Sequence, residues 1–137
     1  MTLRIRKDRH LNTGDLIARS PFRDDPGAEG VLKECLWRSE TVRYGLVDGR
    51  VACVWGLIPP TLLSDSAYLW LLTTDIVVEH KFLFVRNAQI YVEDMLKRYP
   101  ILYGGVGDPR AVRWLKWLGA EIGHPIRGQV PFVIRRK

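Results

Sequence analysis

The chain has 137 residues, 47% of them hydrophobic, and a formal net charge of +6 at pH 7. This length allows one compact domain with a real core and is short for two, so we expect a single domain over residues 1–137. A membrane span is not expected, because Gly56, Pro59 and Pro60 interrupt the longest apolar stretch. The charged N-terminus is unlike a secretory signal, so we expect synthesis in the cytoplasm.

The positive charge favours contact with an anion, which leaves nucleic acid, an acidic protein or a phosphorylated cofactor open. The basic residues are spread along the chain, so a solvated basic surface is the favoured interpretation. Cys35 and Cys53 are the only cysteines and lie in apolar surroundings, which predicts two free, buried thiols. His10, His80 and His124 have no ligand-like spacing, so no metal site is expected.

The first half of the chain mixes strand and helix patterns. "LRIRK" alternates apolar and basic residues and predicts a half-buried strand, and a short helix is expected within residues 13–19. Residues 28–40 place Val31, Leu32, Cys35 and Leu36 on one helical face. "TVRYGLV" and "VACVWGLI" are rich in β-branched and aromatic residues, and "DGR" between them predicts a tight hairpin turn.

The second half has a more regular order. "AYLWLLTT" is almost continuously apolar, which is typical of a strand buried on both faces. A long amphipathic helix follows, with an apolar stripe at Val85, Ala88, Val92, Met95 and Tyr99. "ILYGGVG" predicts another interior strand. The tail at residues 120–137 predicts two short strands around a turn.

The last helix, "RAVRWLKWLG", should begin at an Asp108 N-cap and end at a Gly119 C-cap. Trp117 lies off its apolar stripe, beside Arg110 and Arg113, and should be partly exposed. We expect the other tryptophans, Trp37 among them, to pack in the core. Helices that connect successive strands imply crossovers. The predicted fold class is a mixed, mostly antiparallel α/β sheet flanked by helices, with a central locally parallel pair.

Residues 67–122 resemble the GNAT superfamily of acyl-CoA N-acyltransferases, and in particular the GNAT-like internal virion proteins of short-tailed phages. The matching residues are Trp70, Thr73, Asp75, Val106, Gly107, Asp108, Arg113, Leu115, Lys116, Gly119 and Ala120. The resemblance implies a phage virion or assembly protein with a GNAT-like fold, made in the host cytoplasm and then carried in the virion. Its partners would be other phage virion proteins, through an interface at Arg110, Arg113 and Trp117.

Active members of the superfamily hold the coenzyme A pyrophosphate at a strand-to-helix junction, in a pattern of Gln or Arg, two residues, Gly, one residue, then Gly or Ala. Glu79, Phe82 and Phe84 stand at these places here, so we expect a carboxylate to repel the pyrophosphate and rings to fill its volume. Leu115 stands where the family's proton donor is usually a tyrosine, and Trp70 where a base is common. The resemblance thus implies a catalytically inactive protein without a cofactor.

Two alternatives stay open. The first is an active N-acetyltransferase that uses acetyl-CoA, with Glu79, or Asp75, as the base and Tyr103 as the acid. In that case the residues expected to contact the cofactor are Thr73, Thr74 and Lys81. The second is a basic internal virion protein that contacts DNA.

Overall fold

The computed structural model describes residues 3–6, 11–107 and 109–136, and of residues 3–6, 109 and 110 only the backbone. The helices are α1 Thr13–Ala18, α2 Ala28–Arg38, α3 Asp75–Glu79, α4 Lys81–Arg98 and α5 Pro109–Trp117. The strands are β1 Leu3–Arg6, β2 Thr41–Val47, β3 Arg50–Ile58, β4 Ser66–Thr73, β5 Ile101–Val106, β6 Glu121–Ile122 and β7 Val130–Arg135.

The chain forms two compact units, and β4 and α4 contribute residues to both. Unit 1 comprises Met1–Ile58 and Trp70–Phe84, and unit 2 comprises Pro59–Leu69 and Val85–Lys137. Both units are interleaved along the sequence, so no single boundary separates an N-terminal from a C-terminal part. A single domain over the whole chain stays a prediction.

The strands of unit 1 follow the order β1-β2-β3-β4. Strand β1 pairs antiparallel with β2, and β2 pairs antiparallel with β3. The β2–β3 connection is the predicted hairpin, in which Asp48 and Gly49 both adopt positive φ, 50° and 81°. Two successive positive φ values are what a type I′ turn needs, and its twist matches that of the flanking strands. The hairpin prediction is confirmed.

The helices of unit 1 follow from local signals and one stripe of apolar residues. Asn12 caps α1, since its side chain accepts a hydrogen bond from the Asp15 N–H at 3.0 Å. Helix α2 buries Leu32 and Leu36, whereas Trp37 is 82% exposed. Each helical residue turns the side chain by about 100°, so Trp37 lies off the face that its neighbour Leu36 buries. The expectation that Trp37 packs in the core is wrong.

The strands of unit 2 follow the order β4-β5-β7-β6. Strands β4 and β5 are parallel, with the register Ser66↔Ile101, Ala67↔Leu102 and Tyr68↔Tyr103. Strand β7 pairs antiparallel with both β5 and β6. Helix α4 connects the parallel pair, as a crossover must, and buries Val92 and Leu96; Tyr99, directly after the helix, is also buried. The expected stripe residues Val85, Ala88 and Met95 are only half-buried.

Helix α5 ends as predicted, with Gly119 at φ +90°, a conformation that strains any residue with a Cβ. The expected Asp108 cap lies outside the described residues. Antiparallel pairing dominates the described strands, one pair is parallel, and helices connect them, so the predicted α/β class is confirmed. Within the described ranges no helix is both long enough and apolar enough to cross a bilayer.

Candidate functional site

The junction between β4 and α4 is the place where the sequence suggests a cofactor site. Strand β4 ends at Thr73, and Thr74 is the N-cap of the short helix α3. The Thr74 hydroxyl donates to the Ala52 carbonyl oxygen at 2.7 Å, and the Thr74 N–H donates to the same oxygen at 3.0 Å. Thr74 is buried. Its hydroxyl and amide therefore bind strand β3, so Thr74 is a structural residue in this conformation.

The start of α3 is also tied to the C-terminal end of α1. The Asp75 N–H donates to the Arg19 carbonyl oxygen at 3.1 Å. The Arg19 guanidinium in turn donates from Nη1 to the Val51 carbonyl oxygen at 2.9 Å and forms an ion pair with Asp15 at 2.9 Å. The role of Arg19 was not predicted from the sequence. Only its i, i+4 spacing to Asp15 is a local signal.

In the second half of the junction, the two phenylalanine rings that were expected to fill the cofactor's volume, Phe82 and Phe84, lie in different surroundings. Phe82 is 80% exposed, with the Lys81 Nζ 5.5 Å from its ring centroid. Phe84 is only 6% exposed and packs in a cluster with Val47, Ala52 and Ile76. One ring thus lies in solvent and the other belongs to the core of unit 1. At the α3–α4 turn the exposed ring is therefore Phe82, and its place relative to a bound cofactor stays a prediction.

The backbone amides at this turn do not form a glycine-supported phosphate cradle. His80 lies between α3 and α4, and its carbonyl oxygen accepts from the Leu83 N–H at 3.0 Å and the Phe84 N–H at 3.3 Å. These two amides correspond to the place of the family's glycine pattern. A pyrophosphate at this turn would therefore rely on side-chain charge, and Lys81 supplies an exposed ammonium group beside it.

Glu79 precedes this turn and is exposed, as is Asp75 at the start of α3. Thr73, the last residue of β4, is half-buried. The structure therefore brings four of the expected site residues, Thr73, Thr74, Glu79 and Lys81, onto one short segment of unit 1. Three of them have side chains that reach solvent, and Thr74 does not.

Tyr103, the expected acid, lies in unit 2 on strand β5 and is half-buried. It is the parallel partner of Tyr68, and the two rings meet edge to face with centroids 5.8 Å apart. The next residue, Gly104, has no room for a side chain, since an added Cβ would come within 2.5 Å of the Leu69 carbonyl oxygen. This close approach fixes the backbone around Tyr103.

The positions where the family often has a base and an acid hold packing residues. Trp70 and Leu115 are both buried, and neither an indole nor an aliphatic side chain can act as an acid or a base near neutral pH. Trp117 is 51% exposed, as predicted, and Arg113 is exposed. The side chain of Arg110 lies outside the described part. An interface role for Arg110, Arg113 and Trp117 stays a prediction.

Neither cysteine is activated as a nucleophile. Burial raises the pKa of the Cys53 thiol from 9.0 to about 12. The pKa of Cys35 is also raised, chiefly because the half-buried thiol is desolvated. Both are free, and Cys53 is buried as predicted, whereas Cys35 is only half-buried. The raised pKa values favour the protonated thiol at neutral pH. In the described ranges no group of His, Cys, Asp and Glu could hold a metal ion.

Comparison with known proteins identifies the fold. No protein-family model and no curated protein matches the sequence. A Bacillus subtilis acetyltransferase solved in complex with CoA superimposes with a TM-score of 0.72 at 14% identity, over 98% of this chain and 99% of that one. An aminoglycoside 6′-acetyltransferase gives a TM-score of 0.70 at 14% identity, over 98% and 97%. A GNAT-family acetyltransferase from Streptococcus pneumoniae gives 0.65 at 11% identity, over 99% and 100%.

These similarities correct the expectation drawn from the phage proteins. The expectation of an inactive virion or assembly protein is wrong, because the similar structures are acetyltransferases, one of them with CoA bound. Neither phage proteins nor DNA gain support as partners. The likeness extends over nearly the whole chain, including the first half, for which element order was the only argument. The chain has the GNAT acyltransferase fold.

Proposed function

We propose that the protein is an N-acetyltransferase that uses acetyl-CoA. The observation that carries the proposal is the exposed α3–α4 turn, with Glu79, Lys81 and Phe82 in solvent, on the fold of acetyltransferases that bind CoA. The Phe84 ring packs in the core of unit 1 and does not reach this exposed surface.

The cofactor would be held by charge in place of a cradle of free amides. The Lys81 ammonium can donate to phosphate oxygens, and the N-terminus of the 18-residue helix α4 adds a partial positive charge. Glu79, two residues away, opposes this charge, which predicts weaker binding than in a protein with an arginine at that place. Acetyl-CoA, when bound, supplies an acyl group activated as a thioester.

Acyl transfer to an amine requires two proton transfers, and the sequence offers one candidate for each, Glu79 in unit 1 and Tyr103 in unit 2. Glu79 would take a proton from the amine as the new C–N bond forms. Tyr103 would donate a proton to the departing thiolate as the C–S bond breaks. Each transfer typically contributes a factor of about 10² to 10⁴ in rate. Asp75 is exposed and is the second candidate for the base.

Calorimetric titration with acetyl-CoA tests the cofactor site. Replacement of Lys81 with glutamate should weaken binding by about tenfold or more, because a charge-assisted hydrogen bond to phosphate is lost and a repulsive charge is added. Lys116→Glu is the matched control, since Lys116 is an exposed lysine of α5 and the charge change is the same. No heat of binding at millimolar acetyl-CoA, or equal weakening by both variants, would contradict the proposed site.

A further inference from the structure

Helix α2 presents large apolar side chains to solvent on the side opposite its buried stripe. Trp37 is 82% exposed and Val31 is 64% exposed, whereas Leu32 and Leu36 pack inward. The five exposed residues of this side, which we call the outer face of α2, are Gly30, Val31, Glu34, Trp37 and Arg38. Trp37 contributes most of the apolar area, and an indole left in water to that extent marks an interaction surface.

Gly30 is not explained by the fold of the chain itself. It lies within α2 and does not have the positive φ that would require glycine. An added Cβ would meet no described atom within 4 Å. Glycine inside a helix costs about 1 kcal/mol relative to alanine. The missing side chain thus leaves a gap on the outer face, and no described residue fills it.

The outer face is complementary to itself. Seen along α2, Trp37 and Gly30 lie on the same side of Glu34, at about 60° and about 40° from it. Val31 and Arg38 lie on the other side, at about 60° and about 40°. Trp37 comes three residues after Glu34 and Gly30 four before it. A twofold axis through Glu34 of two antiparallel helices would therefore place each Trp37 over Gly30 of the second copy.

The charges of the face favour this antiparallel direction. Glu34 and Arg38 contribute one charge of each sign. The other charged residues of α2 up to this point, Glu29 and Lys33, lie off the face and pair with each other at 3.6 Å. In a parallel pair Arg38 would meet Arg38, whereas in an antiparallel pair it approaches Glu34 of the second copy. Because Glu34 and Arg38 also attract each other within one helix at i, i+4, their charges set orientation and the Trp37 contact supplies affinity.

We propose that the protein forms a weak, antiparallel homodimer in solution through the outer face of α2. A second copy suits this face because a twofold interface requires one patch to supply both the protruding side chain and the gap that receives it. A strongly acidic or basic partner would find no net charge there. One helical face per copy is smaller than a standard interface, so the dimer should dissociate on dilution.

The inference goes beyond the proposed activity and does not rest on it. None of the residues proposed to hold or turn over acetyl-CoA lies on the outer face of α2, so association should leave turnover unchanged. The dimer is therefore tested by its mass in solution and not by activity.

Sedimentation velocity from micromolar to millimolar protein tests the dimer. The wild-type protein should shift from monomer to dimer as its concentration rises. Trp37→Ser should raise the dissociation constant by at least about tenfold, because each copy loses its aromatic contact. Phe82→Ser is the matched control, since Phe82 is an aromatic residue of unit 1 that is 80% exposed, and it should associate as the wild type does. A monomer at every concentration, or equal association constants for the wild type and Trp37→Ser, would overturn the proposal. Equal weakening by both variants would also overturn it.

Two further variants test the antiparallel arrangement itself. Gly30→Gln should weaken association by a similar factor, because the new side chain fills the gap. Its stability in urea should not fall, since glutamine favours a helix more than glycine does. Arg38→Glu should weaken association because like charges then meet, and adding Glu34→Arg should restore it. A Gly30→Gln variant that dimerises as the wild type does, or no recovery in the double variant, would contradict the arrangement.

Discussion

The indole Nε1 of Trp70 donates a hydrogen bond to the Ser39 hydroxyl at 2.6 Å, across 31 positions of sequence. The Ser39 hydroxyl then donates to the Cys35 carbonyl oxygen, also at 2.6 Å. Gly56 lies against the same ring, and a Cβ there would come within 2.5 Å of Nε1. Strand β4, the end of α2 and strand β3 are thereby joined through one buried side chain.

Loss of the Ser39 hydroxyl should destabilise the protein through Trp70. Ser39→Ala leaves the buried indole N–H without its acceptor, and we expect a loss of about 1–3 kcal/mol in the free energy of unfolding. Urea denaturation measures it. Trp70→Phe in the Ser39→Ala background should then cost less than Trp70→Phe alone, since the unpaired donor is gone. Additive losses in this double-mutant cycle would mean that the hydrogen bond contributes nothing.

Gly104 and Gly105 provide a matched pair on strand β5. Gly104→Ala should lower the melting temperature clearly, because the new methyl group meets the Leu69 carbonyl oxygen at 2.5 Å and the Phe132 ring at 2.8 Å. Gly105→Ala should be tolerated, since its nearest neighbour is the end of the Gln129 side chain at 3.3 Å. Thermal unfolding measures the melting temperature of both variants. Equal shifts in melting temperature would show that β5 does not approach β4 closely at Gly104.

The two phenylalanines of the α3–α4 turn should behave oppositely. Phe84→Ala removes a buried ring from the unit 1 cluster and should cost about 3–5 kcal/mol of stability. Phe82→Ala removes an exposed ring and should change stability by less than about 0.5 kcal/mol. Chemical denaturation of each variant measures the difference. A large loss from Phe82→Ala would restore the view that this ring fills the junction.

The buried Cys53 thiol makes stability depend on alkaline pH. Its pKa rises from 9.0 to about 12 on folding, so the unfolded state loses this proton first. The stability that the protonated Cys53 thiol contributes is complete below pH 9 and is lost as pH rises towards 12. Over this range the free energy of unfolding falls by up to about 1.4 kcal/mol per pH unit. Cys53→Ala should therefore flatten the fall in unfolding free energy above pH 9. Cys35→Ala, at a half-buried thiol, should flatten it less, and an unchanged slope in Cys53→Ala would refute the assignment.

Local signals predicted most of the secondary structure. The Asp48-Gly49 turn, the Gly119 cap and the helix of residues 81–98 follow from glycine conformation and a helical apolar period. The parallel pairing of β4 with β5 followed from the helix between them. Burial was predicted less well, because Trp37 and Phe82 are apolar residues whose exposure depends on tertiary packing and not on their neighbours in sequence.

The candidate site was predicted in its position and not in its chemistry. The segment from Thr73 to Lys81 was recognised as a strand-to-helix junction. The partners of Thr74 and Asp75, the Ala52 and Arg19 carbonyl oxygens, lie far away in sequence, so no local pattern announces them. The segment contains no glycine, and the Leu83 and Phe84 amides donate to the His80 carbonyl oxygen. The absence of glycine did not indicate that the Phe82 side chain is exposed.

The most direct test is turnover. The protein is incubated with acetyl-CoA and a set of primary amines, and mass spectrometry follows free CoA and the acetylated amine. With the wild-type protein, we expect free CoA and the acetylated amine to appear at the same rate. Glu79→Gln should lower kcat/KM by about 10²-fold or more. Glu34→Gln, at an exposed glutamate of α2, is the control and should leave kcat/KM unchanged. Acetyl-CoA that remains intact with every amine, or a Glu79→Gln variant as active as the wild type, would contradict the acetyltransferase account.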